Sequence, residues 1–165
     1  MATFEIREPM LMDAEWITQA CQDIEIQRWT LVPRPYTREH ALGFVNNSIN
    51  EAHLWVIEYQ ETNEPVGVIS IHTIDLNTGD ADIGYWIAPW GRRRGAAVHA
   101  LHLVEQFALT LPTIKFLSAH IAETNTASRA TASRAGFVNM GSSAESCPDG
   151  DNQVPALNYV KHLTR

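Results

Sequence analysis

The chain has 165 residues, 45% of them hydrophobic and 19% charged, which is enough apolar material for one compact domain (1–165) with a full core. Its formal net charge of −7 argues against direct nucleic-acid binding, which needs a broadly basic surface, and favours basic or amine-bearing partners. Met1-Ala-Thr-Phe-Glu has no basic stretch leading into an apolar core and no apolar run approaches membrane-spanning length, so a soluble, cytoplasmic protein without membrane attachment is expected.

In chain order, Thr3 to Arg7 alternates Phe4 and Ile6 with polar neighbours and predicts a half-buried strand. Asp13, a good N-cap, precedes the helical stripe Trp16, Ile17, Ala20 and Cys21. From Ile24 to Tyr36 the prolines Pro33 and Pro35 oppose regular helix, while Trp29, Leu31 and Tyr36 demand cover, so a packed loop is expected. Thr37 caps a second helix predicted to run to about Glu51. Leu54–Gln60, Val66–Ile74 and Ala81–Ile87 read as a three-stranded antiparallel meander separated by turn clusters. Val98 to Leu109 has helical spacing, and Ile114–Ile121 reads as a strand parallel to Ala81–Ile87, because a helix crosses between the two. Small residues from Thr126 to Ala135 form a further helix that stops at Gly136. Phe137–Ser142 and Ala156–Leu163 complete the strands, with Ser142–Val154 as a solvated hairpin loop.

Two cysteines, Cys21 and Cys147, lie far apart without zinc or disulfide spacing and read as free thiols. His99, His102 and Glu105 fan around one helix without a further ligand, so no metal site is expected.

The most informative stretch is Asp80 to Val98, in which an apolar strand ends at Pro89 and leads through Arg92-Arg93-Arg94-Gly95-Ala96-Ala97 into a helix. Unpaired N–H groups in a helix's first turn carry the positive end of the dipole, and small residues let a phosphate approach them. Three of the ten arginines stand in this one tripeptide, so a local anion site, which a pyrophosphate would fit, is set in an otherwise acidic protein. The stretch has neither a P-loop ending nor the three-glycine dinucleotide fingerprint.

Arg92-x-x-Gly95-x-Ala97, after a strand and a proline, resembles the Arg/Gln-x-x-Gly-x-Gly/Ala signature of the GNAT acetyltransferases. Pro35-Tyr-Thr-Arg-Glu-His40, Asp82-Ile-Gly-Tyr-Trp-Ile-Ala-Pro89 and Asn125-x-x-Ser128 ahead of Arg134-Ala-Gly-Phe137 are similar to the branch of that family containing the ribosomal-protein N-terminal (RimJ/RimL-like) acetyltransferases. The resemblance implies an α/β (α+β) GNAT fold: a mixed, mostly antiparallel sheet of about seven strands, about four helices and a βαβ cofactor unit.

It further implies an N-acetyltransferase that binds acetyl-CoA through Ile87, Ala88, Arg92, Arg93, Arg94, Gly95, Ala96, Ala97, Val98, Asn125, Ser128 and Arg134. Asn125 and Ser128 would serve the pantetheine arm and the sulfur. Where many GNAT enzymes place a tyrosine acid seven residues after the asparagine, this chain has Ala132. Asp82 is the candidate base, with Glu58 on a neighbouring strand as its rival, and an N–H near Ile87, at an expected bulge, would polarise the acetyl carbonyl. Trp29, Tyr36 and Trp86 are candidates for an aromatic wall beside a cationic amine. The acceptor suggested by the branch is a peptide or protein N-terminus, transferred to directly in a ternary complex. The alternatives are a small-molecule amine (amino acid, polyamine or antibiotic) or a non-catalytic acyl-CoA-binding module, as a monomer or homodimer.

Overall fold

The alternating apolar residues at the N-terminus place Phe4 inside and build strand β1 (Phe4–Arg7) in the computed structural model, which describes residues 2–165. The chain continues through helices α1 (Asp13–Ala20), α2 (Ile24–Trp29) and α3 (Arg38–Val45), strands β2 (His53–Tyr59), β3 (Pro65–Asp75) and β4 (Asp80–Ile87), helix α4 (Ala96–Leu109), strand β5 (Phe116–Ala122), helix α5 (Thr126–Arg134) and the hairpin β6 (Val138–Asp149) and β7 (Asn152–His162). The seven strands form one sheet in the order β1-β2-β3-β4-β5-β7-β6, antiparallel throughout except for β4 and β5. This is the expected α/β architecture, with five α-helices where about four were expected. No helix among the described residues is long and apolar enough to cross a membrane.

The extra helix is α2, in the segment expected to be a loop. Its prolines lie beyond the helix, and Asp23 supplies the cap by accepting the Ile26 N–H at 3.1 Å. Helix α3 stops at Val45, short of Glu51, because Asn47 turns left-handed (φ +56°) and its side-chain amide bonds the Glu51 backbone through both its oxygen and its nitrogen. The segment Ser142–Val154 is mostly strand, not loop: β6 runs to Asp149 and only Gly150 and Asp151 turn. Its polarity follows from position. β6 is the sheet's edge strand and largely exposed, so pairing with β7 does not need apolar side chains.

Two cores flank the sheet. On one face Leu101 and Val104 of α4 pack against Ile69, Ile71, Ile83, Leu117 and Ile121. On the other, α1 to α3 contribute Ile17, Cys21, Ile26, Tyr36 and Ala41 around Ala88 and Trp86.

The smaller layer is fixed to the sheet by charge. Asp13 is the first residue of α1 and only 1% exposed, with Met12 at the cap position expected for Asp13. Its carboxylate accepts from both terminal nitrogens of Arg7 at 2.9 Å, from the Met10 N–H and from Trp16 Nε1. Arg7 Nε also donates to buried Glu58 at 2.8 Å, so Glu58 is held in this network. Burial alone would raise both acids, but the hydrogen bonds from Arg7 and its neighbours hold both below the usual carboxylate range.

Removing Arg7 strands two buried carboxylates, a loss of about 3 kcal/mol. Arg7→Met should therefore lower stability by about that amount at pH 7, measured by urea unfolding. Because both acids have depressed folded-state values, the wild-type benefit is present above the unfolded carboxylate values of about 4 and is lost as pH falls through the folded ones. The gap between variant and wild type should accordingly narrow in acid.

Candidate functional site

After Ile87 the chain makes a 3-10 turn, Pro89–Gly91, and then a compact loop in which Arg93 (φ +62°) and Gly95 (φ +78°) are both left-handed. Gly95 caps α4 without a side chain, and a Cβ placed there would meet nothing within 4 Å. The space in front of the helix is thus open to a ligand, and the N–H groups of Ala96, Ala97 and Val98, which have no carbonyl one turn earlier, face that end. Arg93 and Arg94 are exposed and have no carboxylate partner among the described residues. Arg92 differs: its guanidinium is 2.5 Å from Asp23, the cap of α2, and so ties the loop to the smaller layer.

The loop sits at the end of a gap in the sheet. β4 and β5 pair only at Asp80–Phe116, Ala81–Leu117 and Asp82–Ser118, yet β4 stays paired with β3 to Ile87 and β5 with β7 to Ala122. The Ala88 N–H bonds Val66 O on β3 at 2.8 Å. Since successive N–H groups on a strand point to opposite edges, that of Ile87 points into the gap. No bulge is needed for this. The irregularity expected near Ile87 lies instead between Ile71 and Thr73 on β3, with His72 the extra residue.

On the α4 and α5 side of the gap, Asn125 caps α5, its Oδ1 accepting the Ser128 N–H at 3.2 Å. Ser128 Oγ in turn lies 2.9 Å from the hydroxyl of Tyr85 on β4. Burial pushes the Tyr85 phenol up to about 12, against a smaller opposing effect of Ser128. Ala132 is buried one turn further along α5, and Arg134 is exposed at the helix's far end.

The opposite face carries a polar cluster that the sequence did not reveal. His120 Nε2 lies 3.9 Å from Asp82 Oδ1 and 3.7 Å from Glu145 Oε2, and the three groups' polar atoms all lie within 4.8 Å of one another. These spacings are too long for direct hydrogen bonds, so the polar atoms converge without pairing with one another. The imidazole is oriented by Ser143 Oγ, 2.8 Å from its Nδ1, and that same oxygen accepts the Glu145 N–H. Burial foremost, with Glu145 and Asp80, raises the Asp82 carboxyl against the opposing pull of His72 and His120. The β3 irregularity delivers His72 to the same face, where it meets Glu51 at 2.5 Å and its ring covers Gly84.

The aromatic candidates belong to separate packings. Trp86 packs on Trp16 at 5.7 Å, Tyr36 is 6% exposed within the smaller core beside His40, and Trp29 carries the Arg28 guanidinium 4.2 Å above its ring. Cys21 is buried, which pushes its thiol up to about 12, so it is no nucleophile. His102 lies 3.8 Å from Glu105 on the outer helix, away from the gap cluster.

Residues 4–138 match the family model described as an acetyltransferase (GNAT) domain. Among curated proteins no sequence matches. The fold superimposes on the microcin C7 self-immunity acetyltransferase MccE, solved with acetyl-CoA and AMP, with a TM-score of 0.85 at 22% identity over 97% of this chain and 92% of that one. RimL, the ribosomal L7/L12 α-N-protein acetyltransferase, solved with coenzyme A, gives 0.83 at 23% identity over 98% and 94%. The spermidine N-acetyltransferase of Vibrio cholerae, solved with CoA and spermine, gives 0.81 at 15% identity over 98% and 96%.

If the open space before Gly95 is where a pyrophosphate rests, a side chain there must block it. Gly95→Leu should abolish CoA binding measured by calorimetry. Gly141→Leu is the control: that glycine is also left-handed (φ +99°) with open space around it, so it carries similar backbone strain but should bind CoA as wild type does.

Proposed function

This chain belongs to the GNAT acetyltransferase family, and we propose that it transfers the acetyl group of acetyl-CoA directly to the α-amino group of a peptide or protein N-terminus. The observation that carries the acceptor end is the Asp82–His120–Glu145 cluster, two carboxylates and an imidazole gathered beside the gap between β4 and β5. An ammonium group fits that spacing, and a peptide laid along the open face would bring its terminus there.

In this reading the turn from Arg92 to Val98 holds the pyrophosphate, while Ile87 and Ala88 line the entry of the pantetheine arm and Asn125 steadies it. Arg134, at the far end of α5, serves the nucleotide end. The thioester arrives already activated, so the protein's task is mainly alignment. The Ile87 N–H, pointed into the gap, stabilises the oxygen of the tetrahedral adduct. Ser128 hydrogen-bonds the departing thiolate, and Asp82, with its raised carboxyl, removes the amine's proton directly or through water. Trp86, on the same face of β4 as Asp82, borders the acceptor, whereas Trp29 and Tyr36 stay in packings of their own.

A weak base is well matched to an α-amine, which titrates near ~8, and poorly matched to a lysine or polyamine amine near ~10.4. RimL acts on a protein α-amine, in keeping with this choice, whereas the spermidine enzyme shares the fold and takes a polyamine.

Thiol release from acetyl-CoA, measured with a panel of peptide N-termini, free amino acids, polyamines and aminoglycosides, tests the proposal. Turnover should be highest with peptides. Preference for a small amine would replace the acceptor, and no release with any amine while CoA still binds would leave a non-catalytic module.

Asp82→Asn should depress kcat/KM most at pH values where the acceptor is still protonated, below about 8, and progressively less above it. A profile from about pH 6 to about pH 9.5 reads this directly. A defect independent of pH would mean that Asp82 only positions the acceptor.

A further inference from the structure

A serine hydroxyl rotates freely unless a neighbour fixes it, yet a serine that is to hold a leaving thiolate must keep its hydrogen aimed at sulfur. Ser128 stands in the first turn of α5, and one turn on, along the same stripe of the helix, is Ala132, 1% exposed. That stripe carries no phenol of its own. A phenol reaches it from the sheet: the Tyr85 hydroxyl lies 2.9 Å from Ser128 Oγ and 3.4 Å from the Ser128 carbonyl oxygen.

We infer that Tyr85 is a positioning residue for acetyl transfer, its O–H donating to Ser128 Oγ so that the serine's own hydrogen is left to point into the gap at the departing sulfur. The inference rests on the acetyl-CoA reading of the gap. Four observations support a fixed pair in which the phenol keeps its proton. Burial keeps the Tyr85 proton in place at any working pH, with its phenol pushed up to about 12. Of the two acceptors Ser128 offers the phenol, Oγ at 2.9 Å is nearer than the carbonyl oxygen at 3.4 Å. Arg129, the neighbouring charge on α5, is directed instead at the Tyr159 hydroxyl and the Glu123 carbonyl, both at 3.0 Å. Finally, Asn125 fixes the backbone of Ser128 by accepting its N–H, so the serine Cβ has a set position from which Oγ meets the phenol.

The chemical step balances without proton loss from tyrosine. The amine nitrogen bonds the acetyl carbon, the carbon–sulfur bond breaks with its electron pair passing to sulfur, and the nitrogen's proton leaves to the Asp82 side. The thiolate is stabilised by one hydrogen bond from Ser128 and takes a proton after release. Tyr85 supplies direction, which a phenylalanine of the same shape cannot.

The test reads the cofactor alone, so it stands apart from the acceptor assay. CoA can ionise at sulfur and acetyl-CoA cannot; the affinities of both are measured by calorimetry from about pH 7 to about pH 10, spanning the ordinary thiol value near 8.5. In wild type the CoA to acetyl-CoA affinity ratio should rise about tenfold across that range, the worth of one charge-assisted hydrogen bond. Ser128→Ala should remove most of the rise. Tyr85→Phe should remove a comparable share with acetyl-CoA affinity unchanged, and the double variant should be no worse than Ser128→Ala. A wild-type rise in Tyr85→Phe, or losses that multiply in the double variant, would overturn the inference. If Tyr85→Phe does not fold, Ser128→Ala decides: a rise that persists without the serine hydroxyl leaves Tyr85 nothing to position.

Discussion

Beyond Asp82 and Ser118 the facing edges of β4 and β5 carry backbone N–H and C=O groups with no strand to bond. Buried groups of that kind are normally paired, because an unmade hydrogen bond in an apolar setting costs on the order of a few kcal/mol. Closing the sheet would be the ordinary solution. Here the two strands are held apart because each is committed to its outer neighbour, β4 to β3 and β5 to β7, along nearly its whole length. What remains is a slot with polar edges, with Tyr85 and Ser128 on one face of the sheet beside it and Asp82, His120 and Glu145 on the other.

The slot divides the chemistry between two faces of the sheet. On the face packed by α4 and α5 stand Tyr85, Asn125 and Ser128, neutral donors that suit a departing thiolate. On the other stand Asp82, His120 and Glu145, groups that can take a proton or hold a cation. The strand alternation of β4 produces this division, since Asp82 and Tyr85 are three residues apart and therefore point to opposite faces. One strand thereby presents a carboxylate to one face of the sheet and a phenol to the other.

The two arginine links keep this arrangement in register with the smaller helical layer. Arg7 joins β1, α1 and β2 through Asp13 and Glu58, and Arg92 joins the loop before α4 to the cap of α2. The second link redefines Arg92, whose charge is shared with Asp23, so that Arg93 and Arg94 are the exposed cations of the turn. It also explains why a short helix forms after Asp23: the same carboxylate that caps α2 is anchored by the loop that follows β4.

Local chemistry was legible in the sequence wherever a feature is made by residues close along the chain. The alternation of β1, the meander β2 to β4, the crossover to β5, the small-residue entry to α4 and the stop of α5 before Gly136 all follow from periodicity and turn chemistry within a few positions. The polar segment that became β6 and the loop that became α2 were misjudged because their structure comes from partners elsewhere: β7 for the first, Asp23 held by Arg92 for the second. Of the candidate residues, Gly95 lies in such a local motif, whereas Asn125, Ser128 and Asp82 came from the family resemblance. His120, Glu145 and Tyr85 lay outside its reach, since pairing distant strands sets the first two around Asp82, and the Tyr85–Ser128 bond joins residues 43 positions apart. Short-range propensity fixes which segments are helix or strand, whereas only the packing of the whole sheet decides which side chains share a face and meet across the gap.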